Sequence, residues 1–257
     1  MSDVGVLDKV MAILQSFTDD VSRVEPRALS AELGLSAPTT YRLMKAMAQH
    51  GLLEQDGNAY RLGVTLLHLG ARVADDLEVR HVARPCLERL RDRTQENAEL
   101  HLRHGCSRVP VEVVPSRLNL RTMGQVGVPF PVHVGASAKV LLAWLDADEA
   151  EALARESHTR SGEDTEFDAA HLARQLSQVR RQGWASSDGE REVGVASVAA
   201  PVRDRFGIVV AALVLAGPSA RMMQQPAYDE GVQLTVEAAG RVSRGLGYVE
   251  RRAGEGA

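Results

Sequence analysis

The 257-residue sequence has only two cysteines, Cys86 and Cys106. That is too few for a disulfide framework, and they lack the paired spacing of a zinc site, so both are expected as reduced thiols. Long hydrophobic runs are missing as well. Charge interrupts every apolar stretch well short of the roughly 20 residues that a spanning helix needs, so no membrane partner is expected. Met1-Ser2-Asp3 shows no basic leader, and the first apolar segment holds Asp8 and Lys9. No secretory signal is therefore expected, and the chain is placed in the cytoplasm. There is no excess of positive charge: 30 Lys and Arg stand against 34 Asp and Glu, for a net charge of −4. Coating of nucleic acid by bulk electrostatics is thereby excluded, and any DNA contact must be local. Lysine is scarce, with Lys9, Lys45 and Lys139 the three among 30 basic residues, a bias that fits a GC-rich coding sequence. No glycine-rich phosphate loop occurs, so no nucleotide is implied, and no cofactor is expected.

What is present is a globular composition, 44% hydrophobic and 25% charged, with room for one large domain or two unequal ones. From Val4 to Phe17, apolar residues recur at three- and four-residue spacing, which predicts an amphipathic helix with one buried face. Pro26 starts a short second helix that Gly34 ends. Ser36 is a good N-cap for a third helix, Ala37 to about Gln49, with Pro38 in its first turn. Thr40, Leu43, Met44 and Met47 should face inward, leaving Pro38, Thr39, Tyr41, Arg42 and Lys45 outward. Asp56-Gly57-Asn58 between two short strand-like runs predicts a hairpin wing. Val64 to Asp76 reads as a linker helix. Beyond it, helices and strands alternate: a helix over 77–96 that Pro85 should kink or divide, strands over 98–103, 108–114, 120–126, 195–202 and 208–216, and helices over 137–145, 148–155, 168–182 and 226–246. Glu250 to Ala257 reads as a frayed tail.

Two constellations carry function. The first is the tri-helical unit and its wing, an arrangement that sets the outward face of a third helix into a DNA major groove. Arg42 can pair with a guanine edge. Thr39 and Tyr41 can touch a thymine methyl or a phosphate, and Lys45 and Arg61 suit phosphates. Arg27, Ser36 and Pro38 complete the candidate DNA-binding set, the amides from Ser36 to Thr39 favouring a phosphate. Residues 1–63 hold eight acids against six bases, so the acids are expected on the face away from DNA. The competing reading is a ligand-sensing module whose helical N-terminus binds a protein.

Leu35-Ser36-Ala37-Pro38-Thr39-Thr40-Tyr41-Arg42-Leu43-Met44 resembles the recognition helix of IclR-type bacterial regulators, and Tyr60-Arg61-Leu62-Gly63 the end of their wing. Pro131 to Lys139, and Arg181 through Val202 with Glu190-Arg191-Glu192-Val193-Gly194, resemble the same family's effector domain, so the likeness covers nearly the whole chain. Ala138 departs from the pattern, since the family usually has glycine there. The resemblance implies an α+β protein: a winged helix-turn-helix domain (1–63), a linker helix (64–76) and a GAF-like α/β effector domain (77–257). It further implies a regulator, read as a repressor, that binds double-stranded palindromic operator DNA as a dimer or tetramer. A small organic acid or amino-acid-related metabolite would control it. The linker helix and first helix are the expected dimer contact.

The second constellation is the effector pocket. Gly135-Ala136-Ser137 at a helix start offers amides and a hydroxyl for a carboxylate. Ser187, Asp188 and Ser197 add polar groups, and Thr122, Met123, Val214 and Ala216 would line the walls; by resemblance, these positions match those with which the family holds effectors. Gly135-Ala136-Ser137-Ala138 loosely resembles a nucleophile elbow, but its last glycine is absent and no histidine and acid can be assigned to Ser137, so no enzyme is expected. His101, His104 and Cys106 are residue types that bind metals, yet on a strand the two histidines point to opposite faces, and they read as ordinary surface residues.

Overall fold

A computed structural model describes residues 5–18, 21–76, 78–162 and 165–249. Val4, Leu77 and the tail 250–257, where the sequence predicts two helix starts and fraying, lie outside the described residues. The chain divides after Asp76 into two compact units.

In the first unit, helices α1 (Val6–Gln15), α2 (Pro26–Glu32) and α3 (Ala37–Gln49) enclose Ile13, Leu29, Met44 and Met47. The hairpin β1 (Leu53–Asp56) and β2 (Ala59–Leu62) closes that core with Leu53 and Tyr60. Pro26 occupies the first turn of α2, where its missing N–H costs nothing. Ser36 caps α3 by accepting the Thr39 N–H at 3.4 Å and gives its own proton to Thr39 Oγ1 at 2.8 Å. Gly57, at φ +64°, makes the wing turn. At the wing's base, Gly63 N–H donates to Leu52 O at 2.8 Å, so close a passage that a Cβ on Gly63 would stand 2.0 Å from Gly51 O. The apolar face of α1 is only partly covered: Ile13 is buried, whereas Val6, Leu7 and Met11 are exposed. Helix α4 (Val64–Asp76) likewise exposes Val64, Leu67, Leu69 and Val73.

The second unit opens with α5 (Glu78–Thr94), which passes Pro85 without a break instead of dividing there. Strands β3 (Asn97–His104), β4 (Ser107–Val114), β5 (Phe130–Pro131), β6 (Ala185–Asp188), β7 (Val195–Arg203) and β8 (Val209–Pro218) form one antiparallel sheet, ordered β5-β4-β3-β8-β7-β6. The remaining helices are α6 (Ala136–Leu142), α7 (Ala147–Ser161), α8 (Ala169–Gln182), α9 (Ser219–Met222) and α10 (Ala227–Gly245). Alternation along β8 decides the layers. Ala211, Leu213 and Leu215 enter a core with α5 and α10, while Ala212, Val214 and Ala216 enter another with α6, α7 and α8. Both faces of the sheet are thus covered.

One expectation needs correction, and three elements were not foreseen. Residues 120–126 are not a strand but part of the loop joining β4 to β5, and their apolar Leu120, Met123 and Val126 are exposed rather than paired. Strand β6 went unforeseen because Ala185-Ser186-Ser187-Asp188 has little strand propensity of its own; its pairing comes from the long β7 alongside. The two-residue β5 and one-turn α9 are too short to leave a periodic signal.

Candidate functional site

Helix α3 presents Pro38, Tyr41, Arg42 and Lys45 to solvent, with Thr39 half-buried against Ser36. Thr40, Met44 and Met47 point inward, and Arg27 of α2 is exposed. Arg42, Lys45 and Arg27 have no charge partner among the described residues. Arg61 does. Its Nε and Nη2 donate to Glu54 Oε2 at 3.0 and 2.7 Å, and Arg23 pairs with Asp56 at 2.8 Å. Glu54 and Asp56 therefore stand on the wing itself, against the expectation that acids avoid this side. Helices α2 and α3 thus carry three cations without an ion pair among the described residues, Arg27, Arg42 and Lys45. Exposed pairs such as Arg61–Glu54 contribute about 0 to 1 kcal/mol, so a phosphate can compete for the arginine.

In the second unit a cavity of about 50 Å³ opens between the sheet and the start of α6. Because Ala98 and Leu100 of β3 belong to the α5/α10 core, Glu99 and His101 face the other way, into this cavity. Both are almost fully buried. His101 Nε2 lies 2.8 Å from Glu99 Oε2, and its Nδ1 lies 3.0 Å from Ser137 Oγ and 3.3 Å from Arg108 Nη1. Arg108 also donates to Pro131 O at 3.0 Å and Val134 O at 3.3 Å, and Arg108 and Arg191 both lie against the Phe130 ring, at 5.2 and 4.4 Å. Thr122 Oγ1 is buried in the wall with no hydrogen-bond partner.

Burial is the largest influence on Glu99, His101 and Arg108. It pushes the Glu99 carboxyl up, but hydrogen bonds from His101 and Asn97 and the charges of His101 and Arg108 outweigh it, holding the acid below its ordinary value. It pushes His101 down. The Glu99 carboxylate opposes this, but the Arg108 and Arg191 cations add to it, so the ring is held below its ordinary value. Arg108 is lowered to about 10 by burial and by Arg191, and remains a cation at neutral pH. The site therefore holds an ionised Glu99, a neutral His101 and a charged Arg108.

The amides at the start of α6 are not all open, contrary to expectation: Gly135 N–H donates to Glu190 Oε2 at 3.0 Å, and Glu190 also pairs with Lys139, whose Nζ donates to Ser186 O at 3.0 Å. Ser137 does have an acid and a histidine beside it, which the sequence could not assign. Yet Arg108 donates to the same Nδ1 that would have to take a serine proton, and a cation there lowers its affinity for that proton.

The family models decide what this arrangement belongs to. The model for the IclR helix-turn-helix domain matches residues 6–57, and that for the bacterial transcriptional regulator IclR C-terminal domain matches residues 71–244. The chain belongs to the IclR family. It is 32% identical to the HTH-type transcriptional regulator KdgR of Escherichia coli K12, covering 93% of this chain and 92% of that one. It is 31% identical to XynR of the same strain, covering 96% and 99%. A solved IclR homolog from Microbacterium hydrocarbonoxydans, complexed with 4-hydroxybenzoate, is 27% identical and superposes with a TM-score of 0.79, covering 94% of this chain and 99% of that one. As an IclR-family member the protein is a transcriptional regulator, with a DNA-binding first unit and an effector-type second unit.

Of the residues assigned to an effector in this IclR-type unit, Thr122, Met123, Ser137, Ser187, Ser197, Val214 and Ala216 line the cavity. Ala136 and Asp188 do not: Ala136 is packed in the α6–α8 core, and Asp188 Oδ1 accepts from Ser219 Oγ at 2.6 Å. Ala138, the departure from the family's glycine, is buried in that same core, so its methyl adds packing there and does not enter the cavity wall. Sequence reasoning missed Glu99, Arg108 and Arg191, and read His101 as a surface residue although it is buried. The available signal was Glu-x-His alternating with Ala98 and Leu100, a polar strand face that a covered sheet turns inward.

Proposed function

We propose that the first unit binds a palindromic operator as a dimer through α3, and that a small carboxylic or amino acid bound in the cavity of the second unit shifts operator affinity. Thr122 Oγ1 carries the effector half. A buried hydroxyl without a partner costs about 1–3 kcal/mol, a cost relieved when a ligand supplies the bond. Beside it stand the buried guanidinium of Arg108, the exposed one of Arg191, and the hydroxyls of Ser137, Ser187 and Ser197. Such a set of donors suits a carboxylate. A volume of about 50 Å³ takes on the order of four water-sized groups, which matches an acid of two or three carbons. The 4-hydroxybenzoate held by the Microbacterium relative carries the same acid group on a larger body; a ligand of that size needs the 115–129 loop to move outward here.

Support for a dimer comes from the uncovered apolar side chains of α1 and α4, since exposed apolar surface of this kind marks association sites. Control of DNA binding then follows by linkage: an acid that prefers one arrangement of the dimer changes operator affinity by the same coupling energy. The test is calorimetry with two- and three-carbon acids on the wild type and on Thr122→Val, repeated with operator DNA present. We expect binding that weakens about fivefold or more in the variant, and an operator affinity that moves with acid concentration. If no acid of the series binds and operator affinity stays fixed, the reading is wrong.

A further inference from the structure

Hydrogen-bond polarity in the cavity narrows the ligand beyond its size and charge, given the effector reading above. Arginine can only donate, so the Arg108 Nη1 contact at 3.3 Å makes His101 Nδ1 an acceptor. The opposite nitrogen, Nε2, then carries the ring proton and donates it to Glu99 Oε2 at 2.8 Å. Both contacts require the same tautomer, and the two cations near the ring favour the neutral form for the same reason. With no proton on Nδ1, the 3.0 Å contact to Ser137 is attractive only if the serine supplies the hydrogen. The proton of the Ser137 hydroxyl is thus committed to His101, and what Ser137 offers the cavity is its oxygen lone pairs.

Two kinds of surface therefore face the ligand. Arg108 and Arg191 are donors and cations that match a carboxylate. Ser137 Oγ is an acceptor, fixed in that role by the Glu99–His101 chain behind it. We propose that the effector is a hydroxy or amino acid, a small carboxylate bearing a hydrogen-bond donor that reaches Ser137, and that the matching oxo acid is rejected. An oxo group set against Ser137 would place two lone pairs together and leave the serine oxygen without a donor, a penalty equivalent to about tenfold or more in affinity. Ser137 acts here as a specificity-determining residue, while Glu99 and His101 are positioning residues that fix the direction of its proton.

Three acids of nearly equal size separate the possibilities: L-lactate, with a donor hydroxyl; pyruvate, with an acceptor only; and propionate, with neither. Calorimetric titration of the full-length wild type should give lactate an affinity about tenfold or more above pyruvate, with propionate also weaker than lactate. In Ser137→Ala the lactate-to-pyruvate ratio should fall close to one, chiefly through loss of lactate affinity, while a single cooperative thermal transition, at a lower temperature than in the wild type, reports that the variant is folded. If Ser137→Ala does not fold, the wild-type ratio alone decides. Pyruvate binding as tightly as lactate, or a ratio that survives in folded Ser137→Ala, overturns the inference and leaves the effector reading standing. Binding of none of the three overturns the effector reading itself, and this inference with it.

Discussion

Replacement of His101 by glutamine tests the electrostatics of the cavity without any ligand. In the folded protein the ring is held below its ordinary value of 6.5, first by burial and then by Arg108 and Arg191, against the pull of Glu99. The unfolded chain therefore binds a proton at this residue, as pH falls below about 6.5, before the folded chain does. A histidine of this kind contributes its full share of stability above that pH and loses it as pH falls toward the folded value, because stability rises with pH wherever the unfolded state binds more protons. A proton taken up only on unfolding sets the upper bound on the loss between about pH 7 and pH 5.5, about 1 kcal/mol, or roughly 2 to 4 °C in Tm for a protein of this size. Glutamine keeps a donor for Glu99 and has no proton to gain. Thermal unfolding of the ligand-free proteins across that interval should show a larger fall in Tm for the wild type than for His101→Gln, the difference being at most this increment, even though His101→Gln starts from a lower Tm. Glu99 does not interfere, since its window opens only below about 4.5. Parallel pH profiles for the two proteins would refute a neutral, buried His101.

Arg42→Ala should weaken operator binding by about 1 to 3 kcal/mol if the side chain reads a base, with the salt dependence nearly unchanged; a gel-shift titration that finds the same affinity removes Arg42 from the interface. Gly63→Ala forces a methyl to within 2.0 Å of Gly51 O, so the wing base must shift, at about 1 to 3 kcal/mol; a wild-type melting temperature would show that the backbone there gives way freely. Leu67→Glu places a charge on the exposed face of α4 and should shift the protein toward monomer in sedimentation analysis. A dimer unchanged by that charge would exclude this part of α4 from the contact.

The two units were legible in the sequence to different degrees, and the reason is the range of the interactions that build them. Ser36 capping Thr39, Pro26 opening α2 and Gly57 turning the wing are satisfied within three or four residues, so the residue types report the geometry directly. The cavity draws no more than three residues from any one segment, among them Glu99 and His101 from β3, Arg108 from β4, Thr122 from a loop, Ser137 from α6, Ser187 from β6 and Ser197 from β7. They meet only through pairings such as Glu99 with Val214, Asn97 with Ala216 and Ala216 with Ser197, which no local rule specifies. The alternation Ala98-Glu99-Leu100-His101 is the pattern of a strand with one face in water, and by itself it cannot distinguish water from a cavity. What distinguishes them is the second layer of helices, α6 to α8, laid across the polar face. Once that layer is in place, a carboxylate and an imidazole on the covered face must find partners, and the partners they find, Arg108 and Ser137, set the donor and acceptor pattern that a ligand meets.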